Sequence, residues 1–349
     1  MRSLWRRNDK PQGSTAIVEP PRAAFDRSDK ELFAEIERLI EANRMSRSQE
    51  TERRLMELRH IAGIRIMDGA PADPKYADPD FARLGEADGL PEFGPADVTA
   101  GLLRAAILRH GCLLVRGFVA RDGALRFADQ IDRAFGEREH LEAGEPVAEG
   151  YYEEFGPDPR FNQDIGRPWV KEGGGLLASD SPMLSFEMIE MFRSAGMPKL
   201  ASAYLGETAL SSLQKTTLRK AEPQVGGAWH QDGSFMGPVR SLNLWLSLSR
   251  CGDEAPGLDI VPRRLDYLVA TGTDEAVFDM QVSQAKAVEA AGDVAIARPI
   301  FEPGDALLFD ELFLHQTGSD PSMPKPRFAI ESWFFGGSAF PDDYAPIAV

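Results

Sequence analysis

Leu213-Gln-Lys-Thr-Thr-Leu-Arg-Lys-Ala221 opens the part of the chain whose texture decides the fold. It is followed by further short apolar runs at Ala228–Asp232, Leu242–Ser249, Leu258–Val261, Ile300–Glu302, Ala306–Phe309 and Arg327–Phe335. Gly, Pro and Asp turns separate them. Runs of this length, bounded this way, predict an antiparallel sandwich or barrel and argue against alternating βαβ units. One helical insertion, around Thr273 to Gly292, interrupts the series.

Upstream the periodicity is helical. Ser28-Asp-Lys-Glu31 has the spacing of a capping box, and Leu32, Phe33, Ile36, Leu39 and Ile40 follow on one face. A second helical stretch is expected from Ser48 to His60. Together these predict an amphipathic arm whose stripe is buried against the main domain or a second subunit, so self-association through the arm is an expectation. Residues 1–27 read as a disordered tail, 28–95 as arm and Pro/Asp/Gly-rich linker, and 96–349 as the main domain. Within that domain helices are expected up to His110-Gly111, over Ala124–Phe135, over Met183–Ser194 and over Pro198–Leu205, with a strand at Cys112–Val119. Gly136 to Asp180 reads as functional loops.

The chain carries 39 Lys+Arg against 55 Asp+Glu, a formal charge of −16. Such a surface repels a phosphate backbone and argues against nucleic acid as partner. No run approaches the roughly 20 apolar residues of a membrane span. Cys112 and Cys251 are the only cysteines, too few for a disulfide scaffold or a Cys-based zinc site. Two buried thiols and a cytoplasmic location are expected.

Five histidines are present. His60 and His110 are read as closing helices, where the dipole favours them, and His140 as part of a solvated charged face. His230 and His315 remain. His230-Gln-Asp232 places an imidazole and a carboxylate on one face of an extended strand. Spacing alone decides nothing, since His140-Leu-Glu142 has it too. The context does: Gly226-Gly-Ala-Trp precedes the first, and His315, 83 positions beyond Asp232 (315 − 232), follows the turn and apolar run Pro303-Gly-Asp-Ala-Leu-Leu-Phe309. Two histidines and one carboxylate on one face of a metal leave three positions open, as in non-haem Fe(II) oxygenases. Arg327 begins the last run; an inward arginine there needs an anion, either a ligand carboxylate or Glu331 on the same strand face.

The ordered set His230-Gln-Asp232, Leu242-Asn-Leu-Trp-Leu-Ser-Leu248, Ala255-Pro-Gly-Leu-Asp-Ile-Val-Pro262, Pro303-Gly-Asp305 to His315-Gln-Thr-Gly318, and Arg327 resembles the phytanoyl-CoA dioxygenase-like family. The resemblance runs from about Ala96 to Gly336. It implies a mainly β core, a double-stranded β-helix of jelly-roll or cupin-like type flanked by helices, and an enzyme using Fe(II), 2-oxoglutarate and O2. His230, Asp232 and His315 match the metal positions and Arg327 the position that holds the far carboxylate of 2-oxoglutarate. Thr317 matches a small hydroxyl position near the cosubstrate. The resemblance implies hydroxylation of a small-molecule substrate with release of succinate and CO2, and assigns no catalytic residue beyond the metal ligands. A second cosubstrate anchor stays open among Gln214, Lys215 and Thr217. Tyr151, Tyr152, Trp169, Phe235 and Trp245 are candidates to line the pocket, beside the commoner reading of such aromatics as plain core. A Zn(II) or Mn(II) hydrolase and a catalytically silent binding protein on the same barrel are the competing readings.

Overall fold

A computed structural model of the chain describes residues 25–349 apart from 87, 88, 154, 162–166, 225, 274, 275, 277, 278, 280 and 343. The tail expected over residues 1–27 therefore lies almost wholly outside the described residues, as does the side chain of Trp169. The arm is a pair of helices, α1 (Asp29–Met45) and α2 (Gln49–Asp68). Ser28 caps α1 in a full capping box with Glu31. The second helix runs past His60 to Asp68, where a helix end had been expected at the histidine. Leu32, Ile36, Leu39 and Ile40 are buried against Leu55, Leu58, Ala62 and Ala348 of the same chain. At about 2 kcal/mol per buried side chain, this stripe is stabilised in place. Most of the apolar surface that suggests self-association is thus covered within one chain, while Phe33 of the same stripe stays 43% exposed.

The linker carries a short helix, α3 (Phe81–Leu84), and strand β1 (Glu92–Phe93). Then come α4 (Ala100–His110), β2 (Cys112–Val115), α5 (Arg121–Ala143), α6 (Arg167–Glu172), β3 (Gly175–Leu177), α7 (Pro182–Ser194) and α8 (Met197–Leu205). Gly111 ends α4 at φ 80, the left-handed conformation that glycine adopts without strain. Helix α5 continues eight residues beyond Phe135, through what the sequence suggested were loops, and ends at a left-handed Gly144. The expected loop therefore starts at Gly144.

The sheet-forming half contains β4 (Ala209–Ser211), β5 (Thr217–Ala221), a helical turn α9 (Gly233–Met236), β6 (Ser241–Ser247), β7 (Gly257–Ile260), α10 (Gln284–Ala291), β8 (Ala306–Phe309), β9 (His315–Gly318), β10 (Arg327–Gly336) and β11 (Ile347–Ala348). A large sheet runs β1-β2-β8-β6-β10. Along the far edge of β10, β5 pairs with its first half and β4 with its second. Strand β3 pairs with β5, and β11 with β4. Among the described residues only the β1–β2 pair is parallel. A smaller sheet pairs β7 with β9, extended by the bridges His230↔His315, Trp229↔Val282 and Ile260↔Ala297.

Alternation along β6 shows where the two cores lie. Leu242, Leu244 and Leu246 pack with α4, α5, α7 and α8, whereas Trp245 points between the sheets with Phe309, Trp333, Phe335, Leu258 and Ile260. The result is a mixed, sheet-dominated core with helices covering the outer face of the large sheet. Both cysteines are buried and free. Among the described residues no helix is long and apolar enough to cross a membrane.

Candidate metal centre

His230 and His315 face each other across the small sheet. Each backbone N–H donates to the other's carbonyl, at 3.0 and 3.1 Å, and residues paired in this way share a face. Their ring centroids are 4.4 Å apart. The approach needs a residue without a side chain just upstream, since a Cβ on Gly227 would stand 2.3 Å from the Thr317 carbonyl oxygen.

Asp232 arrives differently from the expectation. It is not in an extended strand; its backbone is right-handed helical and it precedes α9. The chain turns there because the Gly233 N–H donates to the Glu311 carbonyl at 2.8 Å. The turn still aims the carboxylate at the histidines, with Asp232 Oδ2 3.9 Å from His315 Nε2. One ligand atom from each of His230, Asp232 and His315 lies within 4.8 Å of the others.

The tautomers suit a cation. His230 Nδ1 meets the Ala228 carbonyl at 2.7 Å and His315 Nδ1 the Phe313 carbonyl at 3.0 Å. Each Nδ1 therefore carries the proton, and each Nε2 presents a lone pair. Burial, then the neighbouring His230, pushes the pKa of His315 down to about 4, so the ring is neutral near pH 7. Two imidazoles with Nε2 turned inward and one carboxylate side chain fit a single Fe(II) with open positions.

Arg327 enters the same interior from the start of β10. It is 1% exposed. Nη1 donates to the Gly257 carbonyl at 2.9 Å, and Nε has no hydrogen-bond partner among the described residues. Its guanidinium carbon is 5.5 Å from the Trp245 ring centroid, and the Trp245 indole N–H is likewise buried and unpartnered. Burial lowers the Arg327 pKa, as expected of a cation lacking a close anion. Glu331 is not that anion. Arg219 on β5 holds it bidentately, at 2.8 and 2.9 Å. Burial alone would raise the Glu331 carboxyl, but Arg219 outweighs it and holds the pKa at about 2.

Of the three open anchors, Gln214 is oriented by its Oε1, which accepts the Ala345 N–H at 2.9 Å. Thr217 lies on the interior face opposite Glu331. Lys215 Nζ lies 3.6 Å from Asp232 Oδ1 and 4.7 Å from the Phe235 ring centroid. Thr317 is two residues from His315 on β9 and so shares its face. Phe235 is 39% exposed and lies roughly parallel to His230 at 6.4 Å. Trp245 stands beside Arg327, not at the surface of the centre. Tyr151 and Tyr152 are not at the centre either: their hydroxyls bond to Gln130 and to the Ala134 carbonyl of α5. The role of Arg219 was not apparent in the sequence, because its partner sits 112 residues away.

The other histidines are structural. His140 pairs with Glu145 at 2.7 Å. His110 is buried in the last turn of α4. His60 lies in mid-helix, not at a helix end; Nδ1 donates to the Pro346 carbonyl and Nε2 accepts from the Asp158 N–H, both at 2.9 Å.

A search of curated proteins by sequence finds no match. Among solved structures, EctD from S. alaskensis with bound Fe is similar at 17% identity over 76% of this chain and 85% of that one, with a TM-score of 0.48. The epimerase SnoN in complex with Fe3+, alpha ketoglutarate and nogalamycin RO is similar at 14% identity over 68% and 83%, with a TM-score of 0.44. The family profile described as phytanoyl-CoA dioxygenase (PhyH) matches residues 107–327, more than half of the chain. The chain belongs to the phytanoyl-CoA dioxygenase family and is a non-haem Fe(II)/2-oxoglutarate-dependent oxygenase.

Proposed function

We propose that His230, Asp232 and His315 hold the Fe(II), that Arg327 takes the far carboxylate of 2-oxoglutarate, and that the enzyme hydroxylates a C–H bond of a small-molecule substrate. Bound iron and 2-oxoglutarate supply the oxidant from O2, with succinate and CO2 released. The protein's own part is to hold, orient and exclude water. Two antiparallel sheets facing each other, with the ligand set at one end of the space between them, support a double-stranded β-helix.

The observation that carries the reading is the state of Arg327. A buried guanidinium with a free Nε–H beside a free indole N–H offers two convergent donors to a carboxylate. The internal acid that would otherwise neutralise it is held by Arg219. Lys215 is the favoured second anchor, since it is the cation beside the proposed ligand Asp232. Asp232 itself fills the coordination position that related halogenases leave for chloride, which favours hydroxylation.

Anaerobic titration with Fe(II) and then 2-oxoglutarate tests this. A weak charge-transfer band near roughly 500 nm is expected in the wild type. His315→Ala should abolish it, and Arg327→Leu should weaken 2-oxoglutarate binding by about 10- to 100-fold. Tight Zn(II) binding with no band would support the hydrolase reading instead.

A further inference from the structure

On the interior face of the large sheet, Asn243 on β6 is paired with Phe309 on one side and Trp333 on the other. Paired residues of an antiparallel sheet point to the same face. Both neighbours reach the metal centre: the Phe309 ring is 4.9 Å from that of His315, and Lys215 Nζ is 5.8 Å from the Trp333 ring centroid. Asn243 therefore forms the floor between them. It is 3% exposed, and its amide oxygen Oδ1 has no hydrogen-bond partner among the described residues. A buried acceptor left unpaired is costly, so its retention calls for a ligand that donates.

The polarity of the unpaired atoms separates two ligands. Arg327 Nε and Trp245 Nε1 are donors and suit 2-oxoglutarate, which in its ionised form offers only acceptors. Asn243 Oδ1, the atom left unpartnered, can only accept and finds no donor on that ligand. We infer that Asn243 is a specificity-determining residue that receives a hydrogen bond from the substrate, and that the substrate carries an N–H or O–H group close to the carbon that is oxidised. The inference rests on the oxygenase reading above.

The test uses the full chain loaded with Fe(II) and 2-oxoglutarate. The probes are short aliphatic amines, alcohols and primary amides, each paired with its fully methylated counterpart that has no N–H or O–H (the trimethylammonium, the methyl ether or the N,N-dimethylamide), and succinate release is followed. The wild type should be stimulated at least about 10-fold more by donor-bearing members than by methylated ones, the discrimination that an unpaired buried partner imposes. Asn243→Leu should erase that preference while changing 2-oxoglutarate affinity by less than about twofold. Asn243→Asp, which keeps the acceptor and adds charge, should shift the preference toward amines. In the metal-free protein Asn243→Leu should raise the melting midpoint by about 2 °C, since the unpaired amide is removed. A structural asparagine would show the opposite shift.

Stimulation by no donor-bearing probe, equal stimulation by methylated partners, or loss of 2-oxoglutarate affinity in Asn243→Leu would each overturn the inference. Failure of the oxygenase reading looks different, because the charge-transfer band is then absent from the wild type itself.

Discussion

The surroundings of His60 and those of His230 and His315 begin from the same local chemistry and end in opposite uses. In all three rings Nδ1 meets a backbone carbonyl. Nε2 of His60 accepts the Asp158 N–H, and the ring is wedged edge-on between Phe155 and Phe161 at 5.6 and 5.5 Å. That ring is closed on both sides. For His230 and His315 the free Nε2 atoms converge with Asp232. Burial does not distinguish a ligand from a structural histidine here; what meets the second nitrogen does.

The largest effect is expected from exchanging these roles. His315→Ala should lower turnover by at least about 10³-fold through loss of the metal, with little change in the stability of the metal-free fold. His60→Ala should do the reverse, costing roughly 3 kcal/mol from two hydrogen bonds and a packed ring. Its turnover per folded molecule should stay near wild type. Urea titration alongside metal binding measures both, and loss of metal in His60→Ala would break the contrast.

The two interior arginines sharpen it. Arg219→Met should cost about 2 kcal/mol, because it strands the half-buried Glu331 carboxylate. Arg327→Met should cost less than about 1 kcal/mol, since no internal carboxylate loses its partner. Equal losses in stability would mean that Arg327 is a structural residue.

A smaller, pH-dependent effect separates His60 further. Burial holds its pKa below the ordinary 6.5, so the unfolded chain takes up a proton that the folded ring refuses. The stability this contributes is present above pH 6.5 and declines as pH falls below it. His60→Gln should remove that part of the decline in the metal-free protein, measured as the unfolding free energy at pH 7 and pH 5.5.

The residues whose chemistry is rare were the most legible. His230, Asp232, His315 and Arg327 stand out because an imidazole cluster or an inward guanidinium has few uses in a strand-rich half. Most strands followed from apolar runs, although Ala228–Asp232 and Ile300–Glu302 form only isolated bridges, and the end of α4 followed from Gly111. The misreadings share a cause. The extension of α5 past Gly136, the helical backbone at Asp232 and the mid-helix position of His60 all depend on partners distant in sequence. Glu331 was the obvious partner for Arg327 along one strand, but β5 brings Arg219 alongside, and a bidentate fork at 2.8 Å prevails.

The arm has a consequence for the order of events at the ribosome. Its helices precede the sheet in the chain, yet the groups that hold it include Ala348, whose carbonyl accepts from Arg59 across 289 residues, and Pro346, reached by His60 across 286. The stripe of α1 can meet Leu55, Leu58 and Ala62 of α2 early, but the side of α2 that carries Arg59 and His60 stays without its C-terminal partners until nearly the whole described chain has emerged. At synthesis rates of about 5–20 residues per second, that interval is tens of seconds.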